Sequence, residues 1–289
     1  MQQPPVEHGI EFPSGPRNAL TVDVEEYFQV AAFERTIPRE LWSKAESRVE
    51  FSTGRVLDLF STRGVKGTFF VLGWIAERHP ALVRRIVAEG HEVASHGYDH
   101  TRLYCFTPER FRADVIKTKA ILEDLSGMPV RGYRAPSYSI DARNLWALDV
   151  LQETGHVYSS SIYPIVHDLY GMPDAPRFPF RLRPEAILEI PVTTVRLAGR
   201  NLPCGGGGYF RLLPYPAFRW ALQRVNDLDR QSGLFYFHPW EVDPGQPRVP
   251  GAPVKSRFRH YLNLDSMYGR LERLLADFRW GRMDEVFGV

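Results

Sequence analysis

Between residues 19 and 162 short apolar runs alternate with amphipathic stretches, joined by short connections. "ALTVDVEEYF" reads as a strand, and residues 53–63 carry a helical apolar spacing that stops at Gly64. "KGTFFVLG" reads as a buried strand. The stretch "HPALVRRIVAEG" reads as a helix with Pro80 early and Gly90 as its stop. "HEVASH" is the next strand. A helix opens at Thr107 and Pro108, runs to about Leu125 and closes at Gly127. The strand "VRGYRAP", a helix over 142–154 capped by Asp141, and the strand "HVYSSSI" complete the series. The caps, the prolines at helix starts and the glycines at helix ends set these boundaries. Strand and helix in strict alternation imply a parallel sheet with crossover helices, open or closed into a barrel.

From about residue 163 to 213 the rhythm breaks into proline- and glycine-rich sequence, including "LPCGGGGYFRLLP". Regularity returns with a helix near 216–232, the strand "LFYFH", and a last helix in "DSMYGRLERLLADFRW". No linker divides the chain. The 289 residues are therefore read as a flexible lead-in over 1–17 and a single domain over 18–289. Within that domain, the extension from about 163 to 289 completes the barrel and its cleft.

Charge narrows the function classes. The net charge of +2 is spread along the chain, which excludes the basic footprint of a nucleic-acid binder. Cys105 and Cys204 stand far apart, so no disulfide framework is expected. No run is long and apolar enough to span a bilayer, and the polar N-terminus lacks the apolar core of a signal peptide. The expectation is a cytoplasmic protein, with peripheral membrane association through a lipid-linked substrate as the variant of that reading.

The chemistry-bearing residues gather at strand ends. Asp23 and Glu25 close the first strand, two apart and so on one face. "SHGYDH" places His96 and His100 after a later strand. Arg134 ends "RGYR", and His238 ends "LFYFH". In parallel α/β barrels the C-terminal edge of the strands is where sites form. Two imidazoles and one carboxylate from Asp23 or Glu25 make the ligand count of a catalytic divalent-metal site with an open position. The remaining carboxylate would serve as general base and His238 as general acid. Each signal alone has a plainer reading: loop histidines bonded to backbone, and solvated charges at a strand end.

Other features are weaker. His79, His91 and His156 fall at element starts and read as structural, whereas His167 and His260 lie where they could line a cleft. Gly205–Gly208 lacks the Lys-Ser/Thr of a phosphate cradle and reads as a flexible loop approaching a flat ligand. Tyr138, Trp240, Tyr209 and Phe210 are candidate sugar platforms, each with a core position as the alternative.

The ordered segments "TVDVEE", "SHGYDH", "RGYRAPSYS", "YSSSIYP" and "LFYFHPWE" resemble the polysaccharide deacetylases of carbohydrate esterase family 4, with their NodB-like domain. "HDLYGMPDAPRFPF", "GGGGYFRLLPY", "HPWEVDPGQPR" and "RHYLNL" resemble the branch associated with exopolysaccharide and exosortase loci. The resemblance spans roughly residues 18–280. It implies a distorted (β/α)7-type barrel with an irregular Pro/Gly-rich insertion and C-terminal helices. It also implies a hydrolase that removes N-acetyl groups from amino sugars of a polysaccharide or its lipid-linked precursor. The implied cofactor is one divalent metal, zinc first, with Co²⁺, Ni²⁺ or Mn²⁺ as alternatives. By the same resemblance His96 and His100 are metal ligands, Asp23 is the general base, Arg134 holds that base, and His238 is the general acid. Tyr138, Tyr209, Phe210, Trp240 and His167 are the candidate glycan contacts.

Two departures stand out. The family's second aspartate falls on Val24, which cannot bind metal, so the ligand role passes to Glu25, with Asp23 as the alternative. Ser159 stands where related sequences often have Asp, which leaves His238 without its expected charge partner. Two rival functions remain open on sequence: hydrolysis of another C–N bond, such as a cyclic amide or imide, and glycan binding without catalysis.

Overall fold

In the computed structural model the described residues are 15–168 and 170–289. The lead-in expected up to residue 17 lies outside them as far as residue 14, and Arg17 already belongs to the first strand. The elements in the first half are β1 (Arg17–Val24), α1 (Val49–Thr62), β2 (Thr68–Val71), α2 (Gly73–Arg78) and α3 (Pro80–Ala88). β3 (Glu92–Ser95), α4 (Pro108–Ser126), β4 (Gly132–Tyr133), α5 (Trp146–Glu153) and β5 (Tyr158–Ser159) follow. The second half contains β6 (Leu188–Glu189), β7 (Thr194–Leu197), β8 (Arg200–Pro203), α6 (Gly207–Leu212), α7 (Tyr215–Asp227) and β9 (Leu234–Phe237). It ends with α8 (Val254–Tyr261), α9 (Leu264–Asp277), β10 (Arg279–Gly281) and α10 (Met283–Phe287).

The expected alternation builds a curled parallel sheet in the order β10-β1-β2-β3-β4-β5-β6. β9 also pairs with β1, which makes eight strands. That exceeds the seven-strand pattern because two C-terminal strands share one edge of β1. Residues 17–19 pair with β10, and residues 19–22 pair with β9. β7 and β8 form a separate antiparallel hairpin.

Local chemistry explains these elements. β1 is buried at every position after Arg17, as a central parallel strand covered on both faces must be. α4 begins at Thr107, whose side chain accepts from the Arg110 N–H, with Pro108 in the first turn. It ends at Gly127, whose φ of 65° is the left-handed cap. The helix expected over 142–154 starts later, at Trp146. Asp141 does not cap it; its carboxylate accepts from the Arg143 N–H and closes a turn instead.

The core lies between the sheet and its helices. Leu57, Phe60, Phe69, Phe235, Leu271 and Leu274 share one cluster, none more than marginally exposed. Burying each such side chain stabilises the fold by about 1.5–3 kcal/mol. Both cysteines are free thiols, as expected. No helix among the described residues is long and apolar enough to cross a membrane.

Candidate metal centre and active site

β1 ends at Val24, so Asp23 is its last inward carboxylate and Glu25 the first residue beyond it. Both are buried. Arg134, just past β4 and fully buried, donates to Asp23 Oδ1 at 2.6 Å. The same guanidinium donates to Thr21 Oγ1, to the Ser160 carbonyl and to Ser160 Oγ. Asp23 is therefore held in one orientation by a charge-assisted bond.

His96 and His100 do not meet by a turn of helix. Gly97 has φ of 75° and His100 has φ of 60°, and these two left-handed residues fold the loop back on itself. The ring centroids come to 5.6 Å. The Gly73 and Trp74 N–H groups, at the start of α2, donate to the Gly97 and Tyr98 carbonyls and hold this loop.

Ligand atoms of Glu25, His96 and His100 all lie within 4.8 Å of one another. His96 Nδ1 stands 2.9 Å from the Arg134 carbonyl, an acceptor, so Nδ1 carries the proton and Nε2 keeps its lone pair. Burial, the largest influence on His96, lowers its pKa to about 4 and keeps it neutral. Glu25 Oε2 lies 2.9 Å from His100 Nε2 but out of hydrogen-bonding alignment, and it has no hydrogen-bond partner. Burial would raise the Glu25 pKa, yet the imidazoles of His100, His238 and His96 outweigh it and hold it at about 2. A buried anion with an orphaned oxygen, facing two imidazoles, is a donor set suited to a divalent cation.

His238 follows β9. β9 is the immediate parallel neighbour of β1. His238 Nε2 therefore lies 3.5 Å from Glu25 Oε1. Its Nδ1 stands 2.8 Å from Glu241 Oε1. Burial works against its protonation, but Glu25 and then Glu241 prevail and raise its pKa to about 9. Burial likewise opposes ionisation of Glu241, yet Arg211 and His238 hold its pKa at about 2.

These groups border a cavity of about 200 Å³. Asp23, Glu25, His96, His100, Tyr138, His238 and Trp240 line it, as do Tyr170, Tyr236 and His260. Tyr138 is buried at the wall, and its hydroxyl has no partner. Trp240 is a frame more than an open platform. Its Nε1 donates to Glu25 Oε1 at 3.2 Å, and its ring stacks between His238 and His260. His260 is pinned from behind by Gln246.

The remaining expected contacts fall elsewhere. Phe210 is a core residue, 0% exposed, with its ring 4.7 Å from Phe218 and 5.2 Å from Phe235, so it is no sugar platform. Tyr209 is half-buried and does not line the cavity. His167 does not line it either; it stacks on Tyr170, which does, at 4.0 Å. The glycine run is also not a loop against a ligand. A Cβ at Gly205 would collide with the Leu234 carbonyl, one at Gly206 with the Tyr236 ring, and one at Gly207 with the Glu241 carboxylate. The run lets α6 press against β9 and the turn after it.

Glu241 and Arg211 were not anticipated. One signal was present: Glu241 stands three residues after His238 with Pro239 between, the spacing of a capping box.

Residues 45–158 match the family model "Polysaccharide deacetylase", which takes in His96, His100 and Arg134. Residues 45–158 are thus similar to a polysaccharide deacetylase domain. Asp23 and Glu25 precede the matched stretch. His238, Glu241 and Arg211 fall in residues 160–288, which match a model described as "Domain of unknown function (DUF3473)". A peptidoglycan-N-acetylglucosamine deacetylase of Bacillus cereus is 35% identical over 116 residues, 37% of this chain and 42% of that protein. A chitooligosaccharide deacetylase of Sinorhizobium fredii is 32% identical over 137 residues, 45% of this chain and 61% of that protein. The deacetylase-like stretch thus spans about half the length of these relatives. The solved structure of a candidate polysaccharide deacetylase from Mycobacterium smegmatis superposes with a TM-score of 0.60. It covers 96% of this chain and 91% of its own at 19% identity, a likeness of fold.

Proposed function

We propose that this protein hydrolyses the N-acetyl amide of an amino sugar in a glycan, using a divalent ion, zinc first, held by Glu25, His96 and His100. The observation that carries the reading is the convergence of these three donors beside Asp23 and His238 in one cavity. The names of the Bacillus and Sinorhizobium relatives point to N-acetylglucosamine polymers or oligomers as the substrate class. The resemblance of the C-terminal segments favours an exopolysaccharide or its lipid-linked precursor as the glycan. Residues 18–289 act as one domain in this reading, because β9 and β10 complete the sheet beside β1.

The ion supplies Lewis-acid activation of the acetyl carbonyl and of the attacking water. The chain's own residues do the rest. Asp23, aimed by Arg134, takes the proton of the water as its oxygen bonds to the carbonyl carbon. His238 gives its Nε2 proton to the sugar nitrogen as the C–N bond breaks, and acetic acid and the free amine leave. The unpartnered Tyr138 hydroxyl is placed to hydrogen-bond the glycan. Trp240 keeps Glu25 oriented through its Nε1–H.

The test combines elemental analysis with acetate release from chitooligosaccharides. The wild type should hold about one divalent ion per chain and release acetate. The His96→Ala/His100→Ala variant should lose both. Equal metal content in the two proteins, or acetate release unaffected by the substitutions, would refute the reading.

A further inference from the structure

Glu241 takes no part in the steps above, yet it is completely buried in a site-wide network. Its Oε1 accepts from the His238 backbone N–H at 3.0 Å and meets His238 Nδ1 at 2.8 Å. Its Oε2 accepts from Arg211 Nε at 2.7 Å. Arg211 is itself buried, and its other nitrogens donate to the carbonyls of Arg259, His260 and Leu262. Gly207 backs the carboxylate so closely that a Cβ there would overlap both oxygens.

A capping role alone explains only the bond to the His238 N–H. It requires neither the imidazole contact nor a buried arginine behind the carboxylate. An ionised carboxylate only accepts hydrogen bonds, so the His238 Nδ1 facing it must carry a proton. Nε2 is then the nitrogen turned toward Glu25 and the cavity.

We infer that Glu241, backed by Arg211, is the positioning residue for His238. It fixes the ring's orientation and its Nδ1–H tautomer, so that Nε2 is the nitrogen that exchanges a proton with substrate. The catalytic consequence rests on the deacetylase reading; the tautomer does not. In that chemistry the water's oxygen ends in acetic acid with one of its protons, and its other proton ends on Asp23. The Nε2 proton ends on the amine, and His238 is left neutral with its remaining proton on Nδ1, shared with Glu241. The inference also answers the missing aspartate. Ser159 Oγ donates to Ser161 Oγ, and the partner of His238 comes from its own following turn. Arg211, His238 and Glu241 together give residues 160–288 a defined task, building one wall of the site and aiming its acid.

Glu241→Gln tests this. The amide has one oxygen to satisfy Arg211, so its NH₂ should turn toward His238 and favour the opposite tautomer. The imidazole ¹H–¹⁵N NMR spectrum of the full chain loaded with Zn²⁺ reads the tautomer directly, with the ring neutral. The wild type should show His238 as Nδ1–H with a downfield proton, and Glu241→Gln should show a shift toward Nε2–H. Turnover of N-acetyl chitooligosaccharide should fall about 10²–10⁴-fold in kcat, as when a catalytic histidine loses its correct tautomer, with KM and bound zinc nearly unchanged. Hydrolysis of an activated aryl acetate, whose leaving group needs no proton, should fall less.

An Nε2–H tautomer in the wild type overturns the inference, and this arm needs no variant that folds. So does a tautomer unchanged in Glu241→Gln, or a KM effect with kcat intact. A wild type that hydrolyses neither substrate would instead sink the deacetylase reading, while the spectrum still decides the role of Glu241.

Discussion

Glu189 closes β6 behind the Ser159–Ser161 turn, fully buried, and its substitution should make the protein more stable in alkali. Oε1 accepts from the Ser161 and Ile162 N–H groups, and Oε2 has no partner. Burial, the largest influence, raises its pKa from the ordinary 4.5 to about 7, against smaller opposing contributions from Ser159, those N–H groups and Arg134. A carboxyl with a raised folded pKa stabilises most below its unfolded pKa. That stability is lost as pH rises through the folded value, because the unfolded chain releases its proton first. At about 1.4 kcal/mol per pKa unit, the loss between pH 4.5 and about 8 comes to roughly 3 kcal/mol from this one group. Glu92 is also raised to about 7, chiefly by burial, and adds a loss in the same window. A difference measurement is therefore required. Glu189→Gln keeps an oxygen for both N–H groups and removes the ionisation. In urea titrations the variant should match the wild type at pH 4 and exceed it by up to about 3 kcal/mol at pH 8. A variant less stable than the wild type at pH 8 would refute the reasoning. It would show that the Glu189 carboxylate is ionised and held favourably by Arg134.

Two further predictions separate roles at the site. Asp23→Asn should retain metal and lose about 10²–10⁴-fold in turnover, whereas Glu25→Ala should lower metal affinity; titration with zinc and acetate release distinguish them, and the reverse pattern would mean the two roles are exchanged. Phe210→Ala should cost about 3–5 kcal/mol in denaturation without a selective rise in KM, because the ring is packed against Phe218 and Phe235; a raised KM at unchanged stability would return it to the substrate site.

The α/β class was legible because hydrophobic periodicity reports local burial, and its alternation leaves little choice but parallel strands. The same regularity predicted that Asp23, Glu25, His96, Arg134 and His238 would share one sheet edge. What lies outside that rule depends on contacts between distant stretches. Asp23 and Glu25 look alike on a strand. They part because β1 stops at Val24, so that Arg134 claims Asp23 while Glu25 turns to the imidazoles. His238 came to the near wall because β9 inserts beside β1, a pairing of residues some 215 apart that periodicity does not specify. Phe210 and Tyr209 are neighbours in an aromatic stretch, and only the docking of α6 on β9 decides which enters the core. The glycine run looked like flexibility. Its purpose becomes visible only once Tyr236 and Glu241 occupy the space where side chains would be. The partner of His238 was hidden for the same reason. A glutamate at capping spacing is ordinary in a sequence, and it becomes a positioning group only when tertiary packing buries it against both an imidazole and an arginine, where no water can take their place.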